Sequence, residues 1–168
     1  MDSSIKIIPF CVPLAPGVGV VGTVTLRGKS AIVWFGWGGV EQSEAMENCG
    51  RTLGDDAIAF GSGKPPMGSL CLSMPPPTRK SMMPTPTSQL LAGSSDEDMM
   101  LGQQMSARIA KRIGWPIFVS CSFSDFGQKG VSPAMAAGFD DDTMPAALAE
   151  KEVTRILLRI QDELVAST

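Results

Sequence analysis

The stretch SSDEDMMLGQQMSARIAKRIGWPIFVSCSF (Ser94–Phe123) holds two periodicities separated by a break at Gly114-Trp115-Pro116. Leu101, Met105 and Ile109 recur every four residues, which puts them on one stripe of an α-helix. Ser94 to Glu97 has the S-x-x-E form of a capping box, so a helix is expected to start there. Lys111 and Arg112 fall in its last turn, where cations oppose the helix dipole, and Gly114 supplies the stop. From Ile117 the period becomes two. Ile117, Val119, Cys121 and Phe123 lie on one face of a strand, with Phe118, Ser120 and Ser122 on the other.

Strand patterns dominate the residues before this unit. IKIIPFC (Ile5–Cys11) reads as a short strand that Pro9 confines to an edge or ends early. Val18, Val20, Val24 and Leu26 share one face of an extended segment, and RGKS (Arg27–Ser30) turns it back into AIVWFGW (Ala31–Trp37). That second arm is β-branched and aromatic on both faces, as expected of a central strand buried on both sides. SLCLSM (Ser69–Met74) alternates as a further strand, and AIAF (Ala57–Phe60) offers a brief extended piece. At the other end, Leu148, Val153, Ile156, Leu157, Ile160 and Leu164 mark a last helix, roughly Pro145 to Val165, on which Arg159 and Glu163 can pair across one turn.

Composition narrows the function. With 168 residues, 43% hydrophobic and 18% charged, the chain fits one globular domain, residues 1–168. Glycine and proline number 18 and 13, above ordinary usage, so flexible loops are expected at about 38–67, 75–95 and 124–144. Histidine is absent, which removes Ser-His-Asp and Cys-His catalysis and imidazole metal ligands. The net charge of −3 is the wrong sign for a surface that must neutralise a duplex, so no nucleic acid partner is expected. The uncharged run from Ile7 to Leu26 carries three prolines and then strand patterning, which argues against a membrane role. Cysteines at 11, 49, 71 and 121 form no CxxC pair and accompany no secretory cleavage pattern, which favours a reducing cytoplasmic or nuclear setting.

The literal motifs fail on context. Gly17-Val18-Gly19-Val20-Val21-Gly22 matches G-x-G-x-x-G but has no preceding strand and opens no helix, so strand glycines explain it better. Gly28-Lys29-Ser30 lacks the glycine five residues earlier that a phosphate loop needs. Asp55-Asp56 and Asp140 to Asp142 lack calcium-loop spacing, and no metal or cofactor is expected.

The segment Leu90 to Phe123 resembles the central signature of the proteasome assembly chaperone 4 family: a Leu-Leu-Gly-like entry, a basic helix, then a V-F-V-S strand. Met105, Arg108, Ile109, Ala110, Lys111 and Arg112 stand at the helix positions, and Ile117, Phe118, Val119 and Ser120 at the strand. AIVWFGWG is similar to the family's aromatic strand, and PAALAEKEVTRILLRI to its last helix. Residues 38–86 depart from it in being longer and more proline-rich.

The expected fold is α+β, a mainly antiparallel sheet with two helices packed on one face. Two helices cover one face of a sheet, yet strands such as Ile32-Val33-Trp34-Phe35 are apolar on both, so the other face is left for sheet-to-sheet dimerisation. Val33, Trp34, Phe35 and Phe118 are the candidate partner contacts. The resemblance implies a non-catalytic protein that pairs with a homologue of proteasome assembly chaperone 3, contacts proteasome α subunits and helps form the α-ring of the 20S core. When that partner is absent, the isolated chain is expected to be a poorly soluble monomer or a homodimer. The competing classes are a small enzyme using a carboxylate or thiol and a self-associating structural protein.

Overall fold

Alternating apolar side chains from Ile5 onward produce three consecutive antiparallel strands, β1 (Ile5–Ala15), β2 (Gly17–Arg27) and β3 (Ala31–Val40). A computed structural model describes residues 5–15, 17–40, 68–77, 84–93, 95–123 and 144–166. After β3 come β4 (Ser69–Ser73), β5 (Thr87–Leu91), α1 (Asp96–Ile113), β6 (Ile117–Ser122) and α2 (Pro145–Ala166). The strands form one sheet in the order β1-β2-β3-β6-β4-β5, antiparallel throughout except for the central pair β3 and β6. Pro9 and Pro13 sit on the edge strand β1, which continues past both. Arg27 and Ser30 close the β2–β3 hairpin with backbone bonds of 3.1 and 3.2 Å. Gly28, between them, has φ of 58°, the left-handed backbone such a tight turn requires.

Both helices lie on the same side of the sheet. α1 packs on β4, β5 and β6, α2 on β1 and β2, and the helices touch each other. The facing strand positions, Val20, Val24, Val33, Phe35, Ile117, Val119 and Cys121, join Met105, Ile109 and Ile113 of α1 and Val153 and Leu157 of α2 in one buried core. Arg108 makes a bidentate bond to Glu150 across the helix pair, with distances of 2.8 and 2.6 Å. Against expectation a strand, β1, does precede Gly17-Val18-Gly19-Val20-Val21-Gly22, but the motif opens strand β2 and no helix; Gly22 lies opposite Phe10, and a Cβ there would come within 2.7 Å of the Phe10 ring.

Three expectations shift. The N-cap of α1 is Ser95, whose Oγ accepts from Glu97 N at 3.2 Å and Asp98 N at 3.4 Å. Ser94 lies outside the described residues. Asp98 takes the third helical position, and its carboxylate accepts from Phe123 N at the end of β6. Residues 87–91, read as part of a loop, form β5; local alternation is weak there, and the strand exists through pairing with β4 and a hydroxyl chain from Thr87 to Ser73 (2.7 Å) to Ser106 (2.8 Å). β3 is also longer than expected, reaching Val40. AIAF, both acidic clusters, Cys49 and the bulk of the expected loops lie outside the described residues.

Candidate interaction surface

Strand register sorts the side chains of the sheet into rows. On the face away from the helices, one row runs Ile7, Thr25, Ile32, Phe118, Leu72, Ser88 across all six strands. The next runs Pro9, Thr23, Trp34, Ser120, Leu70, Leu91. Arg27 is the one charged side chain at the open-face positions of the described strands. Ile32 is 44% exposed and Leu91 51%, while Trp34, Phe118, Leu70 and Leu72 are half-buried. Apolar side chains left partly in water along two rows of a sheet face are what a protein interface presents before it is formed.

The four sequence candidates divide between the faces. Trp34 and Phe118 lie on the open face. Val33 and Phe35 are fully buried beneath the helices and leave the candidate surface, because period two sends neighbours on β3 to opposite sides. Phe35 packs edge-on against Phe123, with centroids 5.3 Å apart, and Trp37 meets the same ring at 5.2 Å. In their place the register adds Ile7, Ile32, Leu70 and Leu72. Alternation along β3 links Ile32 to Trp34 in the sequence itself, but cross-strand neighbours need the register.

The upper part of this face is closed within the chain: Val21, Gly36 and Ser122 are buried. Ser120 and Ser122 bury their hydroxyls without a hydrogen-bond partner among the described residues, an arrangement that costs about 1–3 kcal/mol for each hydroxyl left unpaired.

Among the described residues, the buried groups that could carry chemistry, Asp98, Cys71 and Cys121, lie on the helix side, and half-buried Cys11 lies on the open face. Asp98 is buried at the start of α1 and accepts from Phe123 N at 3.2 Å and from the Cys121 thiol at 3.6 Å. Burial, then the Asp98 charge, pushes the Cys121 thiol well above the usual cysteine range, and burial raises Cys71 as well. Both are thereby kept as thiols, the less nucleophilic form. Among the described residues, no three His, Cys, Asp or Glu side chains gather to hold a metal ion. No helix of the described residues is long and apolar enough to cross a membrane.

No curated protein matches the chain. Among solved structures, it aligns with a chain from the crystal structure of a novel chaperone complex for yeast 20S proteasome assembly, with 96% of each chain covered, 15% identity and a TM-score of 0.46. A family model, that of proteasome assembly chaperone 4, matches residues 20–123, which take in β2, β3, β4, β5, α1 and β6. Because that match spans more than half of its length, the chain belongs to the proteasome assembly chaperone 4 family.

Proposed function

We propose that this chain is a non-catalytic assembly chaperone that pairs, sheet against sheet, with a homologue of proteasome assembly chaperone 3, and that the pair promotes α-ring formation of the 20S proteasome. The observation that carries the reading is the open face. Two apolar rows cross the sheet opposite a complete helix layer, with Ile32, Trp34, Phe118, Leu70 and Leu72 at their centre. The family match supports the proteasome as the setting. Buried, protonated thiols at Cys71 and Cys121 favour binding over nucleophilic chemistry. When the partner is absent the same face joins two copies of this chain. The pair acts in the cytoplasm or nucleus, where proteasome α subunits are its clients.

Reconstitution tests this reading. Recombinant α subunits, mixed with or without the co-purified pair, are followed by native gel for ring formation. The expected result is faster accumulation of α-rings with the pair, and a loss of that acceleration when Trp34 is changed to Lys. Equal ring formation without the pair overturns the proposal.

A further inference from the structure

Segments distant in sequence bring unpaired cations to one end of the sheet. Arg27 and Lys29 occupy the β2–β3 turn, and both are exposed. Ala31, just after this turn, donates its N–H to the Pro116 carbonyl at 3.2 Å. The turn therefore adjoins the short connection from α1 to β6, behind which Lys111 and Arg112 stand exposed in the last turn of α1. The end of α2 arrives at the same place, since Gln161 donates to the Ile113 carbonyl at 3.2 Å. There Glu163 takes up Lys6 at 3.6 Å and Arg159 at 3.9 Å. Arg27, Lys29, Lys111 and Arg112 have no acidic partner among the described residues. The helix dipole accounts in part for Lys111 and Arg112. Nothing comparable holds Arg27 and Lys29, although the chain as a whole carries a net charge of −3.

A second feature borders this cluster. Ile5, on the edge strand and paired in register with Arg27, is exposed. Cations beside aliphatic side chains suit a ligand with carboxylates and apolar groups together. The described residues at this end offer no exposed aromatic ring for stacking a base, since Trp115 is buried. We propose that this basic end binds an acidic peptide segment of a partner protein, with carboxylates on Arg27, Lys29, Lys111 and Arg112 and an apolar side chain against Ile5 on the edge strand. This surface does not require the sheet-to-sheet pairing proposed above.

Fluorescence anisotropy tests it, using the full chain and a fluorescein-labelled peptide of alternating glutamate and leucine. Its glutamine counterpart and a single-stranded oligonucleotide of equal charge serve as competing probes. The acidic peptide should bind at low salt and weaken about tenfold or more as ionic strength rises to several times the starting value. Arg27→Glu with Lys29→Glu, and separately Lys111→Glu with Arg112→Glu, should each weaken it by about tenfold. Gln104→Glu, on the exposed side of α1 but away from this end, should leave it within about twofold. Reversals of exposed charges leave the fold intact, which a melting curve on each variant checks. Equal binding of the glutamine peptide, insensitivity to both reversals, or preference for the oligonucleotide overturns the proposal. Loss of partner pairing at Trp34→Lys with peptide binding retained separates this surface from the open face.

Discussion

Replacing Phe35 with alanine should destabilise the isolated chain far more than replacing Ile32 with threonine, though the two residues stand three apart on one strand. Phe35 is fully buried, packs edge-on against Phe123 at 5.3 Å and lies opposite Gly22, which leaves room for the Phe10 ring. Truncating such a side chain costs about 3–5 kcal/mol, from lost transfer energy and the cavity left behind. Ile32 is 44% exposed, so threonine there gives up only part of a burial worth about 1.5–3 kcal/mol in full, or about 1 kcal/mol. For a domain of this size about 2–4 °C of melting temperature corresponds to each kcal/mol, which sets roughly 6–20 °C against 4 °C or less. Thermal melts followed by circular dichroism, on the chain without any partner and at concentrations where light scattering finds the monomer, make the comparison. If Ile32→Thr lowers the melting temperature as much as Phe35→Ala, the face carrying Ile32 is part of the chain's own core and the sorting of faces is wrong.

Asp98→Ala should cost about 1–3 kcal/mol in urea unfolding, because it leaves the Phe123 N–H without its acceptor; a loss below about 0.5 kcal/mol would contradict that role. Ser95→Ala should cost about 1 kcal/mol by removing the cap that accepts from Glu97 and Asp98. Under native conditions Cys71 and Cys121 should resist alkylation by iodoacetamide while half-buried Cys11 reacts first, as read by peptide mass mapping. The Arg155 guanidinium holds the Glu152 carboxyl below the usual carboxylate range. A depressed folded-state pKa contributes stability above the unfolded value and loses it as pH falls through the folded one. The melting temperatures of the chain and of Glu152→Gln should therefore differ near neutral pH and converge in acid.

Much of this architecture was legible because it is local. The helix-to-strand unit around Gly114 announces itself through a change of period, and the last helix and the hairpin at Gly28-Lys29 do so by the same means. β5 was not legible, since TSQLL acquires its strand character from β4 and from the Ser73–Thr87 contact, 14 residues apart. The helix starts one residue later, where Ser95 Oγ accepts from Glu97 N and Asp98 N, and the bond of Asp98 to Phe123, 25 residues on, is one that a local S-x-x-E pattern cannot show. The existence of an uncovered apolar face followed from counting helices against strands, but its membership did not. Val33 and Phe35 are as apolar as Ile32 and Trp34, and only the side on which α1 and α2 settle decides which pair is left outside.

The most direct test is size-exclusion chromatography with light scattering on the chain co-expressed with a homologue of proteasome assembly chaperone 3, alongside the Trp34→Lys and Phe118→Lys variants. The account expects a one-to-one heterodimer for the unmodified chain. It also expects each lysine to abolish pairing by burying an unpaired charge at the interface, while the helix-side core stays folded. A monodisperse monomer that ignores the partner, or lysine variants that pair as well as the original, would contradict it.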